Sequence, residues 1–280
     1  MLIWQADCYR RPLQDSTRQP LWELLICDPE DSFEFAAFCP QSAVKLDWLV
    51  QQFQAAIAAQ GQRPERIEVF RPPALNLIAA AGKILEIPIY PNRHTDFLKQ
   101  LLRERVQIYQ QREGYTGEPY DPLALDRPPP VPLPENLWGD RWRFAHLPAG
   151  ALIDSVGARP IPILEMPESL LPLRLGLAST VPVPGVIIDG GRQSRRVAQW
   201  LQSTQPATLD YIPGSPDGLV LEAGLVERWV LVTFADDEMA AAARSYQYRR
   251  QNAQGLHFLL VQPDDSGVTY SGFWLLRSGS

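Results

Sequence analysis

The chain has 280 residues, of which 45% are hydrophobic, enough to bury one large core or two smaller ones. Its 26 basic and 32 acidic residues leave a formal net charge of −6, which excludes a polycation that coats nucleic acid indiscriminately and confines any nucleic-acid site to a local basic patch. The cysteines, Cys8, Cys27 and Cys39, lack CxxC spacing and the histidines, His94, His146 and His257, lie far apart, which argues against a disulfide framework, a metal site or a cofactor and fits a reducing cytoplasm.

No apolar run is long enough to cross a bilayer. No signal or transit segment is expected, because Ile3 already reads as strand and the folded domain starts close to Met1. Leu2 to Arg10 is the first strand. After a polar connection from Arg11 to Pro20, Leu21 to Cys27 and Phe33 to Phe38 read as two more, joined by the turn signal Asp28-Pro29-Glu30-Asp31-Ser32. Ser42 is expected to cap a helix in which Val44, Leu46, Trp48, Leu49, Phe53 and Ile57 keep helical spacing and which Gly61 stops. Arg66 to Phe70 is a short strand, Ala74 to Leu85 a helix behind Pro72-Pro73, and Ile87 to Tyr90 another strand. Thr95 then caps a charged helix reaching Arg112. Three strands, then helix, strand, helix, strand and helix, is the order of a ribonuclease H-like fold, and the expected N-terminal α/β domain spans residues 1–113.

Residues 114–182 read as a proline-rich linker of extended, polyproline character. Within it Trp138, Trp142 and Phe144 stand beside Arg141 and Arg143, a strand whose aromatics bury the segment against a core. Residues 183–280 form a C-terminal mixed α/β sheet domain. Val186-Ile187-Ile188 is a buried strand, and Asp189-Gly190-Gly191 turns it into a helix from Arg192 to Gln202. Leu219 to Leu225 and Arg228 to Phe234 are paired strands. Asp236-Asp237-Glu238 starts a helix with acids at its positive dipole end, and Gly255 stops it. A closing hairpin joins Leu256–Gln262 to Val268–Leu276. The fold class is mixed α/β (α+β) with two domains.

A two-metal nuclease needs several acids converging on paired ions. Asp7 lies midway along the first strand, Asp47 early in the first helix and Asp96 at the start of the last. After the fourth strand, where a further ligand would stand, Arg71 follows Phe70, and a cation there repels metals. Asp7 is therefore expected as a structural hydrogen-bond acceptor. Asp217 with Glu222-Ala223-Gly224 resembles the acid, acid-x-lysine pattern of restriction-endonuclease-like nucleases, but Gly224 replaces the lysine. Asp189-Gly190-Gly191-Arg192 reads either as a phosphate-binding turn or as a tight structural one. The chain is expected not to be an enzyme.

Arginine grips phosphate and aromatic rings stack on unpaired bases. The segments that combine them are Tyr9-Arg10-Arg11, the stretch holding Arg244, Tyr246, Tyr248, Arg249 and Arg250, and Trp274 with Arg277; Arg192, Arg195 and Arg196 make a further cationic cluster. The aromatic segments also read as half-buried rings beside solvated arginines, and Arg192 to Arg196 as a solvated helix face. Alternation puts Phe273 with Leu275 on one face of the last strand and Trp274 with Leu276 on the other. Trp274 thus either meets bases or seals a core.

The opening Gln5-Ala6-Asp7-Cys8-Tyr9-Arg10-Arg11-Pro12 is followed by Trp22-Glu23-Leu24-Leu25-Ile26-Cys27-Asp28, then Gly218-Leu219-Val220-Leu221-Glu222-Ala223-Gly224, Arg228-Trp229-Val230-Leu231, Gly255-Leu256-His257-Phe258-Leu259 and Gly272-Phe273-Trp274-Leu275-Leu276. In that order, sparing only the proline-rich middle, they resemble the Tab/Atab family, translation factors of chloroplasts and cyanobacteria tied to the photosystem I core subunit PsaB. The resemblance implies RNA binding and translation regulation in photosystem I biogenesis. The target it implies is an A/U-rich single-stranded messenger RNA leader, read in a cyanobacterial cytosol or a chloroplast stroma. It also implies that the tract Trp274, Leu275 and Leu276 binds RNA; Arg277 stands where members often carry another leucine. The expected RNA-binding residues are thus Trp274, Leu275, Leu276, Arg277, Tyr9, Arg10, Arg11, Tyr246, Arg249 and Arg250. Translation or photosystem assembly proteins are further expected partners, without membrane insertion. The alternatives are a scaffold for photosystem assembly that docks through the proline-rich segment, and a metal-dependent nuclease.

Overall fold

The computed structural model describes residues 2–29, 32–157 and 159–278, so the expected start at Met1 and the turn residues Glu30 and Asp31 lie outside the described residues. The chain divides into two compact units, Met1–Asp126 and Arg127–Ser280.

In the first unit, β1 (Ile3–Gln14), β2 (Pro20–Cys27) and β3 (Glu34–Pro40) form an antiparallel meander. After α1 (Leu46–Gln60), β4 (Arg66–Val69) pairs parallel with β1; after α2 (Pro72–Leu85), β5 (Ile89–Pro91) pairs parallel with β4. The resulting order β3-β2-β1-β4-β5 is ribonuclease H-like. Successive side chains of a strand point to opposite faces. Trp4, Ala6 and Cys8 of β1 therefore join Leu24, Leu49, Phe53 and Ile78 in a core with α1 and α2. Gln5 and Asp7 point the other way, beneath α3 (Asp96–Gln110), where Leu25, Phe70, Leu98 and Leu102 make a smaller cluster. The Gln5 side-chain oxygen accepts the Leu98 N–H at 3.0 Å, satisfying one of the donors left over in the first turn of α3. Ser42 does not cap α1. It lies in a preceding 3-10 turn and donates its hydroxyl to the Gln19 side chain at 2.8 Å. Thr95 likewise makes no side-chain cap for α3. All three cysteines are buried in this unit, and burial, reinforced by Asp7, pushes the Cys8 thiol up to about 12.

The second unit is built on two sheets. Its elements are β6 (Val131–Pro132), β7 (Arg141–Pro148), α4 (Ala149–Gly157), β8 (Ile163–Glu165), β9 (Pro182–Asp189), α5 (Ser194–Thr204), β10 (Pro206–Ile212), β11 (Asp217–Ala223), β12 (Glu227–Phe234), α6 (Asp237–Asn252), β13 (Leu256–Gln262) and β14 (Gly272–Arg277). One sheet runs β10-β11-β12-β6, the other β7-β9-β13-β14-β8. The larger sheet is buried on both faces. Val186, Leu259, Trp274 and Leu276 meet α5, α6 and the smaller sheet, while Val183, Phe258, Phe273 and Leu275 meet α4 and the loop before β9.

Residues 114–182 do not form a linker between domains 1–113 and 183–280. Those up to Asp126 belong to the first unit and the rest to the second. There they supply β6, an edge of one sheet, and β7 and β8, both edges of the other. Proline is excluded from central strands because it lacks a donor, but an edge strand leaves one side unpaired and tolerates it. Trp142 and Phe144 then anchor β7 by packing on Phe234 and Tyr246. Among the described residues, no helix is long and apolar enough to cross a membrane.

Candidate nucleic-acid interface

The C-terminal tract is core. Trp274 is 1% exposed, Leu275 2% and Leu276 4%. β14 is paired on both sides, antiparallel with β13 and parallel with β8, and both of its faces are covered. Gly272 completes the seat: a side-chain carbon there would lie 2.4 Å from the indole. A ring sealed this way has no open face on which a base can stack. Alternation correctly separates Trp274 and Leu276 from Phe273 and Leu275, but both faces are covered, because α4 and the chain ahead of β9 fold over the second. Only Arg277 reaches partway to solvent, and its Nε donates to the Gln254 carbonyl at 3.1 Å.

On α6, Asp236 accepts the Met239 N–H at 2.9 Å and caps the helix. Tyr246 is 1% exposed and donates its hydroxyl to the Leu209 carbonyl at 2.9 Å. Arg250 donates to the same carbonyl and pairs with Asp210, each at 2.6 Å. Tyr246 and Arg250 form a pair on α6, the guanidinium 5.8 Å from the ring centroid. It faces β10 rather than solvent. Arg249 is half-buried, 3.3 Å from His146, and Tyr248 is 66% exposed. Arg192, in the 3-10 turn before α5, and Arg195 and Arg196, in the first turn of α5, are exposed.

In the first unit Arg10 is exposed and Tyr9 half-buried, but Arg11 is 2% exposed. Along β1, Arg11 falls on the same alternating face as Gln5 and Asp7 and turns inward with them. It donates to Asp7 at 3.1 Å and to Glu23 at 2.8 Å. Burial works against its charge, yet Asp7, Tyr109 and Glu23 hold its pKa well above the ordinary arginine value. Arg71 donates to the other Asp7 oxygen at 3.0 Å and to the carbonyls of Pro122 and Ala124, and its guanidinium lies 4.1 Å from the Tyr9 ring centroid. Glu23 also accepts from Arg105 and from the Tyr109 hydroxyl. Asp7 is thus a buried ion-pair partner. Asp47 and Asp96 are exposed on their own helices. Among the described residues, no three or more His, Cys, Asp or Glu side chains are grouped to hold a metal ion.

Two further candidate motifs, on β11 and in the turn after β9, have their groups committed. Glu222 accepts from Arg127 at 2.8 Å, and Asp217 accepts from the Tyr211 hydroxyl and the Gly214 N–H, each at 2.8 Å. The Gly190 and Gly191 N–H groups donate to the Gln262 and Pro263 carbonyls at 2.8 and 2.9 Å. That turn is structural.

A further open aromatic borders a cleft. Between the two sheets of the second unit, where β6 and β12 diverge from β7 and β9, lies a cleft of about 550 Å³. Val186, Ile188, Leu219 and Leu231 contribute apolar lining, and Trp138, Arg141 and Trp142 also border it. Trp138 is 56% exposed, the only tryptophan among the described residues more than about a third open to solvent. Its Nε1 donates to the Leu133 carbonyl at 2.9 Å, which fixes the ring against the proline-rich run. The Arg141 side chain is 71% exposed, with an exposed Asp265 carboxylate at 3.7 Å. The sequence signal was the Trp138–Arg143 cluster itself. Reading all its aromatics as buried hides that Trp142 and Phe144 are packed while Trp138 is not.

Two family models match the chain. Residues 3–105 match the N-terminal model, and 120–277 the C-terminal domain model, of the RNA-binding protein Tab2/Atab2. A Zea mays protein named TAB2 homolog, chloroplastic, is 29% identical over 279 residues, spanning 98% of this chain and 70% of its own length. The Arabidopsis thaliana protein of the same name is 27% identical over 277 residues, spanning 98% and 74%. Among solved structures, the HTLV-2 integrase catalytic core domain with magnesium is 15% identical, spans 40% of this chain and 75% of its own, and has a TM-score of 0.26.

Proposed function

Because the chain belongs to the Tab2/Atab2 family of RNA-binding proteins, we propose that it is a non-enzymatic translation factor. Its target is an unpaired, A/U-rich leader of messenger RNA for photosystem core subunits. The observation that carries the reading is the pair of family matches, in order, over residues 3–105 and 120–277. A/U-rich single strands need little melting and offer bases for stacking. The two chloroplastic relatives favour a photosynthetic setting, plastid stroma or its cyanobacterial counterpart, with translation or photosystem assembly proteins as further partners.

Within this reading the candidate residues take two roles. Arg10, Arg249 and Arg277, with the Tyr9 ring, are surface contacts for phosphate or base. Trp274, Leu275, Leu276, Tyr246, Arg11 and Arg250 act from inside by fixing the framework on which contacts are carried. Support for binding without cleavage comes from Arg71, whose guanidinium sits on the Asp7 carboxylate where a nuclease would need a metal ion.

Gel-shift titrations of the purified chain against A/U-rich and G/C-rich single-stranded RNA, at two salt concentrations with magnesium present, test the proposal. Retarded A/U-rich RNA that stays intact is expected. Absence of any shift, or magnesium-dependent cleavage abolished by Asp7→Asn, contradicts it.

A further inference from the structure

We infer that the cleft beside Trp138 receives an unpaired base of single-stranded RNA, stacked on the indole, with the adjoining phosphate held by Arg141. The inference rests on the RNA-binding reading above and adds to it a site in the segment that joins the two ends of the family resemblance.

Three features of the cleft fit a nucleotide. The first is the ring. Trp138 is 56% exposed, and its one polar atom is already bound to the Leu133 carbonyl. The indole is therefore held in place before any ligand arrives, so a base that stacks on it does not have to order it. Trp142, the second indole of the cleft, is wedged between Phe144 at 5.4 Å and Phe234 at 5.5 Å between centroids, which makes it wall rather than plate. The second feature is size and lining. A volume of about 550 Å³ falls in the range of roughly 300–1,000 Å³ that encloses small organic ligands. Val186, Ile188 and Leu231 give the cavity an apolar surface, suited to a flat ring and not to a charged group. The third is charge. Arg141 borders the cleft with its side chain 71% exposed. Its carboxylate neighbour, Asp265, is 63% exposed at 3.7 Å, so water screens that pair and a phosphate displaces it readily. An apolar slot, a fixed aromatic plate and an open guanidinium together match base plus phosphate. A purely apolar peptide would leave Arg141 unused.

The test is equilibrium binding of the full chain to dye-labelled oligo(A) and oligo(U) of about twelve nucleotides, within the usual range of single-strand site sizes. Wild type is compared with Trp138→Ala, Trp138→Phe and Arg141→Ala. Stacking on one ring corresponds to a loss of roughly 5- to 150-fold for Trp138→Ala, and Trp138→Phe should recover most of it. Arg141→Ala should lower the slope of log affinity against log salt by about 0.7, the signature of one phosphate on a single strand. Ultraviolet crosslinking of wild type to the same RNAs should place the crosslink on the peptide holding Trp138. Wild-type affinity in Trp138→Ala, or crosslinks confined to other peptides, overturns the cleft and leaves the RNA-binding reading standing. Failure of wild type to bind either RNA overturns that reading and the cleft with it.

Discussion

Asp7 is held by two guanidinium groups, Arg11 at 3.1 Å and Arg71 at 3.0 Å, with neither the acid nor either arginine meaningfully open to water. Charges out of water survive only as mutual partners. Removing Arg71 leaves the buried Asp7 to share Arg11 with Glu23, and breaking a buried ion pair typically costs about 3–5 kcal/mol. Arg71→Ala should lower the urea-unfolding free energy of the first unit by that amount, and a loss under about 1 kcal/mol would contradict the assigned network. His257 is buried in the other unit. Its Nε2 accepts the Leu209 N–H at 2.9 Å, which puts the proton on Nδ1, facing the Gly255 carbonyl at 2.8 Å. Burial, opposed by that carbonyl, lowers its pKa from 6.5 to about 3. The unfolded chain therefore binds a proton that the folded chain refuses. Stability is full above pH 6.5 and falls as pH drops toward about 3, with a slope of up to ~1.4 kcal/mol per pH unit. Between pH 6.5 and 5, the fall in His257→Gln should be smaller than in wild type by about 2 kcal/mol, read by urea unfolding. His94, also lowered by burial, is common to both proteins and cancels. Equal slopes would show that His257 is not held neutral.

At the scale of the element, β14 shows how a tract can matter for binding without touching RNA. Trp274 packs against Ala198 of α5 through Gly272 and shares a core with Leu259, Val261 and Leu209. Trp274→Ala should cost about 3–5 kcal/mol and lower melting temperature and RNA affinity together. Unchanged melting with lost affinity would instead show direct contact. Trp138→Ala should cost no more than about 1 kcal/mol. Strand alternation and turn residues made much of this readable in the sequence. The β1–β2–β3 meander, α1, α2 and the β13–β14 pairing all follow from local pattern, as does Arg71 closing the place where a metal ligand would stand. What pattern could not supply was partnership at a distance. Arg10 and Arg11 stand on opposite faces of one strand, and what buries Arg11 is its bond to Glu23 of the neighbouring strand and to Asp7. β10 was missed because Pro206 and the polar Asp210 interrupt its apolar alternation, which pairing with β11 overrides. Residues 114–182, read as an extended linker holding one aromatic strand, instead supply three edge strands and α4.

For the whole molecule, each unit has clusters of its own: Trp4, Phe53 and Ile78 in the first, Val186, Leu259 and Trp274 in the second. Fragments 1–126 and 127–280 should each give a cooperative thermal transition by circular dichroism; a fragment without one would show that its core is incomplete. A net charge of −6 also limits how many phosphates are neutralised. With about three, affinity for single strands should fall roughly 20-fold between 50 and 200 mM salt, and a fall beyond about 1,000-fold would require a far more extended cationic surface. The sulfur atoms offer one last use. Cys8, Cys27 and Cys39 are the chain's entire thiol content, and all lie in the first unit, shielded from solvent. A chromogenic thiol reagent added along a urea series therefore clocks the opening of that half alone, in the intact polypeptide and without any tag. The other half stays silent however far it has come apart.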